Sequence, residues 1–231
     1  MVFHILTIFP HSFASYLGTS LLGRAAEKGL VKFDIVDIRD FADEPHKNVD
    51  DSPYGGGPGM VMMVEPIYRA VESVRREAGS AASSGGMRVV LLSPRGEQFT
   101  QDTARRLAGY GNIVLICGRY EGVDERVAEH IADEVVSIGP YVLSGGELPA
   151  MVVAEAAARY VPGVLGRSES LEDISGSYPQ YTRPAVFKAG GGEEWKVPDV
   201  LLSGDHKAVD EWRKAHNNKT HYGNRSGNRT N

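Results

Sequence analysis

Three successive apolar segments, each followed at once by a glycine-containing loop, constrain the fold of this chain most strongly. Continuous apolar segments rich in β-branched residues indicate buried parallel strands. The carboxyl ends of such strands lie at one edge of a sheet, where ligands bind in open α/β folds. The sequence therefore predicts a ligand site built from three loops. The segments and their loops are 88–92 with 93–96, 112–116 with 117–124, and 134–138 with 139–149.

Strand and helix patterns alternate through the first two thirds of the chain, which predicts an α/β fold. Pro66 suits the first turn of a helix, and Asp124 is placed to cap the helix that follows it. The predicted strands are 2–9, 31–38, 88–92, 112–117 and 134–138, and the predicted helices are 12–28, 66–78, 101–108, 124–131 and 148–160. The apolar residues Ala208, Val209 and Trp212 have helical spacing, which predicts a small helical domain at the carboxyl end.

Glycine supplies most of the predicted binding chemistry. Gly139, Gly145 and Gly146 let peptide groups approach a flat ligand such as an adenine edge or a nucleoside. An ordinary strand-to-helix turn is the alternative interpretation. Glu121 can accept hydrogen bonds from ribose hydroxyls, or it can be a solvated loop carboxylate. The loop 50–60 contains four glycines and two prolines, which predicts a close backbone approach there.

Composition limits the class of protein. Among 231 residues, 42% are hydrophobic, and no apolar segment approaches the roughly 18 residues needed to cross a bilayer. One cysteine excludes a disulfide framework and favours a reducing cytoplasm. The net charge of −5 argues against nonspecific coating of nucleic acid. The tail after residue 212 is basic, which indicates attraction to phosphate or a solvated terminus.

Several of these segments, taken in order, closely resemble the bacterial tRNA (guanine-N1)-methyltransferases of the SPOUT class. The chain departs from that family in three respects: the segment 166–181 is shorter, Ile174 replaces a serine, and the carboxyl end is an Asn-rich basic tail. The matching segments are 49–51, 53–60, 117–122, 124–127, 138–149, 162–166 and 181–184.

The resemblance implies a trefoil-knotted parallel-sheet domain, a small mainly helical carboxyl-terminal domain, and a cytoplasmic homodimer with active sites at the subunit interface. It implies domains at 1–161 and 181–231, the second binding tRNA, with a linker at 162–180. It also implies S-adenosylmethionine as the methyl donor. The residues implied to hold this cofactor are Leu92, Ser93, Pro94, Gly118, Glu121, Ile138, Gly139, Pro140, Tyr141, Val142, Leu143, Gly145 and Gly146.

The implied reaction methylates N1 of the guanine at tRNA position 37, immediately 3′ of the anticodon. Asp173 matches the family's general base, and Arg159 matches the arginine that stabilises charge on guanine O6. The family also implies Mg²⁺, for which the sequence offers no ligand cluster. Two alternatives remain: a noncatalytic tRNA-binding relative, and a knotted methyltransferase acting on another RNA site.

Overall fold

The computed structural model describes residues 1–79, 85–166 and 178–217. The chain divides into two compact units, residues 1–166 and residues 167–231. All the site residues expected from the sequence belong to the first unit except Asp173, which lies outside the described residues.

The first unit is an α/β structure around a five-stranded parallel sheet with the strand order β2-β1-β6-β5-β7. The predicted α/β class is therefore confirmed. The strands are β1 (Val2–Thr7), β2 (Lys32–Asp37), β3 (Asp50–Asp51), β4 (Val61–Met62), β5 (Met87–Gln98), β6 (Asn112–Cys117) and β7 (Glu134–Ser137). The α-helices are α1 (Ala14–Leu17), α2 (Ser20–Glu27), α3 (Val64–Ala78), α4 (Gln101–Leu107), α5 (Glu125–His130) and α6 (Glu147–Ala158). Strands β3 and β4 form a separate antiparallel pair.

Both faces of the sheet are buried because its central strands are apolar on both sides. In β6, Ile113 and Leu115 belong to one apolar cluster, whereas Val114 and Ile116 belong to a second. This alternation follows the two-residue period of a strand. Helix α6 contributes Met151 and five other buried residues to the first cluster, and α3 contributes four to the second. Because helices cover both faces of the sheet, a ligand can reach the sheet only at the ends of its strands.

The structure confirms both predicted helix-start signals. Asp124 caps α5, and its carboxylate accepts a hydrogen bond from the Arg126 amide at 3.0 Å. Hydrogen bonds from the Arg126 side chain lower the pKa of Asp124 below its usual value. Pro66 lies in the first turn of α3, where its missing N–H leaves no helical bond unmade.

Strand β5 continues beyond the predicted end at Leu92, so that expectation was wrong. The chain passes through Pro94 and Gly96 and pairs with β7 again at Glu97, after a shift in register. Proline cannot donate to a ladder, which is why this segment resembles a loop in the sequence. A Cβ on Gly96 would lie 2.5 Å from the Val135 carbonyl carbon, so only glycine lets the two strands approach there.

The described part of the second unit contains a hairpin that the sequence analysis did not predict, together with two short helices. The hairpin pairs β8 (Val186–Lys188) with β9 (Glu194–Lys196), and its rings Phe187 and Trp195 lie 5.4 Å apart. Every residue of both strands is exposed, so no buried alternation marks them in the sequence. The helices are α7 (Asp199–Leu202) and α8 (His206–Ala215).

Candidate functional site

A cavity of about 470 Å³ lies at the carboxyl ends of β6 and β7 and beside residues 91–95 of β5. Its volume is within the range of roughly 300–1,000 Å³ that is usual for small-molecule sites. Of the thirteen residues expected to hold a cofactor, Pro140 is not in the lining, and the cofactor role of the others stays a prediction. The twelve that line the cavity are Leu92, Ser93, Pro94, Gly118, Glu121, Ile138, Gly139, Tyr141, Val142, Leu143, Gly145 and Gly146.

The loops after β6 and β7 are joined to each other by their backbones. The Gly146 amide donates to the Gly118 carbonyl at 2.9 Å, and Arg119 forms an antiparallel bridge with Gly145. A Cβ on Gly146 would lie 2.6 Å from the Cys117 Cα, a distance that real Cβ atoms essentially never show. Glycine at 146 is therefore required by contact between two loops of the protein itself.

We expect Gly146→Ala to weaken binding of S-adenosylmethionine, the ligand that the resemblance implies, by at least about tenfold, or about 1.4 kcal/mol. The added methyl must push the β7 loop away from the β6 loop. Titration calorimetry measures the affinity, with Gly190→Ala as the matched control because a Cβ there meets nothing within 4 Å. Wild-type affinity in Gly146→Ala would contradict this interpretation of the loop contact.

The glycine-rich loop 50–60 contacts Glu121, which lines the same cavity. The Glu121 amide donates to the Met60 carbonyl at 3.0 Å, and the Met62 amide donates to the Gly122 carbonyl at 2.9 Å. Gly59 has a φ of +78°, and a Cβ there would lie 2.5 Å from the Glu121 Cγ. The close approach predicted from the glycine content is therefore found at Gly59.

A buried carboxylate, Glu147, lies beneath these loops and was not singled out in the sequence. Glu147 is 4% exposed and begins α6. Its Oε1 accepts a hydrogen bond from Thr7 Oγ1 at 2.9 Å, and its Oε2 accepts one from Arg119 Nε at 3.0 Å. The Arg119 guanidinium also lies 4.4 Å from the centre of the Phe9 ring. The sequence signal is an acid in the first helical turn, which does not reveal that the side chain is buried.

Cys117, the last residue of β6, is fully buried next to this cluster. Burial raises the pKa of its thiol well above the usual value, and the charge of Glu147 raises it further. The thiolate is the reactive form of cysteine, so this group stays protonated and unreactive near neutral pH. Its role is therefore packing.

Of the two residues expected to be catalytic, the structure describes only Arg159. Arg159 immediately follows α6, is half-buried and does not line the cavity; its amide donates to the Glu155 carbonyl at 3.2 Å. Asp173 lies outside the described residues. Both roles stay predictions.

Within residues 1–79, 85–166 and 178–217, no group of three or more His, Cys, Asp or Glu side chains could hold a metal ion.

The fold and the site define an α/β protein whose ligand cavity is formed by loops at the carboxyl edge of a parallel sheet. A family model described as tRNA (Guanine-1)-methyltransferase TrmD matches residues 1–227. The chain belongs to this family, and the resemblance found in its sequence is thereby confirmed.

Individual relatives agree with the family match. The chain is 50% identical over 215 residues to a tRNA (guanine-N(1)-)-methyltransferase of Geobacillus kaustophilus, covering 91% of this chain and 84% of the relative. It is 48% identical over 219 residues to that of Dehalococcoides mccartyi strain CBDB1, covering 93% and 84%. The crystal structure of tRNA (m1G37) methyltransferase from Aquifex aeolicus superimposes with a TM-score of 0.76 at 41% identity, covering 94% of this chain and 88% of that one.

Proposed function

We propose that this chain is an enzyme that transfers a methyl group from S-adenosylmethionine to N1 of the guanine at tRNA position 37. The observation that carries this proposal is the convergence at one cavity of two segments by which the chain resembles its family, 117–122 and 138–149. Family membership over residues 1–227 then supplies the reaction and the acceptor.

The cavity suits this methyl donor in size and in chemistry. Peptide groups at Gly118, Gly145 and Gly146 can contact an adenine edge closely, and Glu121 can accept hydrogen bonds from ribose hydroxyls. Val142 is 82% exposed at the cavity, which leaves apolar surface for a flat ring to cover. When bound, S-adenosylmethionine supplies a methyl group on a positively charged sulfur, and that sulfur departs as a neutral thioether.

Guanine N1 carries a proton at neutral pH, so the enzyme must remove that proton as the N1–methyl bond forms. We assign this proton to the carboxylate of Asp173, acting as general base. Loss of the proton leaves the N1–H electron pair shared between N1 and O6, where hydrogen bonds from Arg159 stabilise the negative charge. The same electron pair then forms the N1–methyl bond, which removes that charge. The support for these two roles is the residue-by-residue match to the family motif.

We also propose the trefoil knot and the homodimer that the family implies. The pairing between the loops after β6 and β7 supports a close crossing of the chain at this edge. On α6, Leu148 is 60% exposed and Val152 is 45% exposed, which provides apolar surface for a second copy. The proposed domain limits are 1–161 and 181–231, with the linker at 162–180 carrying Asp173.

The region 181–231 is proposed to bind tRNA as a small mainly helical domain. Arg213 and Lys214 lie in the last turn of α8, and Lys188 and Lys196 lie on the hairpin. Positive side chains of this kind bind the phosphate backbone.

We place the enzyme in the cytoplasm, where its single cysteine stays reduced. None of the helices in the described ranges is long and apolar enough to span a bilayer. We assign Mg²⁺ no site.

Mass spectrometry of nucleosides tests the proposed reaction. Unmodified tRNA incubated with the protein and S-adenosylmethionine is expected to yield 1-methylguanosine. A different methylated nucleoside would instead indicate a knotted methyltransferase acting on another RNA site. Absence of any product, with cofactor binding shown by calorimetry, would indicate a noncatalytic tRNA-binding relative.

A further inference from the structure

We propose that Glu147 is a positioning residue for the methyl-donor cavity, acting through Arg119 on the loops that form it. This inference rests on the proposed function. Glu147 and Thr7 do not line the cavity, whereas Arg119, Gly118 and Gly145 do. The carboxylate therefore acts on the cavity from beneath, without touching the ligand.

The geometry joins three separate parts of the sheet through one side chain. Thr7 ends β1, Arg119 follows β6, and Glu147 follows the loop after β7. Each carboxylate oxygen of Glu147 accepts one hydrogen bond, from Thr7 at 2.9 Å and from Arg119 at 3.0 Å. The spacing of the two cavity loops is thus fixed by side chains as well as by the bond from Gly146 to Gly118.

Gly145 transmits this arrangement to the cavity wall. It packs against both charged groups, because a Cβ built on it would collide with Arg119 Nε and would lie 2.5 Å from Glu147 Oε2. A shift of the carboxylate or of the guanidinium toward Gly145 would therefore press on its backbone, which lines the cavity.

The low exposure of the pair makes its loss costly. The side chains of Glu147 and Arg119 are 6% and 26% exposed. Removing one partner of a buried pair leaves an uncompensated charge in a poorly solvated place, which disrupts the structure around it. In Glu147→Gln the side chain keeps its size but loses its charge and half of its acceptors. Arg119 is then expected to leave its present position, and the two loops with it.

The test compares Glu147→Gln with Glu134→Gln, a control in the same sheet. Glu134 is a partly buried acid, with its side chain 16% exposed, that accepts hydrogen bonds from Arg88 and Arg106, and it does not line the cavity. We expect Glu147→Gln to raise the Kd for S-adenosylmethionine by about tenfold, equivalent to about 1.4 kcal/mol. The KM for the cofactor should rise similarly, with kcat at saturating cofactor changing less than about twofold. The Glu134→Gln control should change the Kd less than about twofold, even if it lowers the melting temperature of the protein as much as Glu147→Gln does.

The double variant Arg119→Gln with Glu147→Gln tests whether the two groups act as a pair. Its Kd is expected to be no higher than that of the weaker-binding single variant, because the unpaired charge is gone. Additive losses, or equal Kd changes in Glu147→Gln and the Glu134→Gln control, would overturn the proposal.

A second measurement needs neither cofactor nor tRNA. Hydrogen exchange at the Gly146 amide should be faster in Glu147→Gln than in wild type or in the Glu134→Gln control, because this amide bonds to Gly118 across the two loops. Unchanged protection of Gly146 would refute the positioning role. A wild-type protein that binds S-adenosylmethionine but forms no 1-methylguanosine would refute the proposed reaction and leave the positioning role intact.

Discussion

Replacing Asp173 with asparagine is expected to lower kcat for methyl transfer by about 10²–10⁴-fold, the usual contribution of a general base. The amide cannot accept the guanine N1 proton, and protonated N1 has no free electron pair with which to attack the methyl group. Affinity for S-adenosylmethionine should change little, because Asp173 is assigned to the acceptor and not to the cofactor. Single-turnover transfer of labelled methyl to tRNA measures the chemical step directly.

The neighbouring acid provides a matched control for this variant. Glu172→Gln removes the same charge one residue away and should leave the single-turnover rate within about twofold of wild type. If Asp173→Asn kept the wild-type rate, or if Glu172→Gln alone lost it, the match of Asp173 to the family motif would be misplaced.

Replacing Arg159 with alanine is expected to lower kcat by about 10²–10³-fold, the range found when one donor to a developing oxyanion is removed. In the proposed mechanism the guanidinium stabilises negative charge on O6 that arises only as N1 loses its proton. The effect should therefore appear in the rate of transfer and hardly at all in cofactor affinity. The measurement is the same single-turnover assay, run beside calorimetry with S-adenosylmethionine.

Two further variants test what Arg159 contributes. Arg159→Lys keeps the positive charge but not the planar set of donors, so its rate should fall between those of wild type and Arg159→Ala. Arg24→Ala, an exposed arginine on α2, is the surface control and should retain wild-type turnover. A full rate in Arg159→Ala would remove this residue from the mechanism.

The strands of the sheet were predictable because their signal is local. Segments such as Ile113–Ile116 are apolar at every position, as burial on both faces requires. The continuation of β5 through Pro94 and Gly96 was not predictable, because both residues usually end a strand. The hairpin in the second unit was missed for a related reason: its strands have three residues each and no buried face.

The loops of the site were likewise predictable, since glycines after each buried strand are visible in the sequence. The importance of Glu147 was not, because its hydrogen-bond partners are distant in sequence: Thr7 is 140 residues away along the chain, and Arg119 follows another strand. Gly146 shows a similar limit. The sequence predicts a close backbone approach to a ligand, which stays a prediction, and the structure adds a contact with the β6 loop that the sequence did not indicate. Contacts between distant segments decide both cases.

The most direct test of the proposed reaction uses two tRNA transcripts that differ only at position 37, one with guanine and one with adenine. Each is incubated with the wild-type protein and methyl-labelled S-adenosylmethionine, and the nucleosides are then separated. The proposed reaction predicts label in 1-methylguanosine from the guanine transcript and none from the adenine transcript. Equal labelling of both transcripts, or label in any other nucleoside, would contradict it.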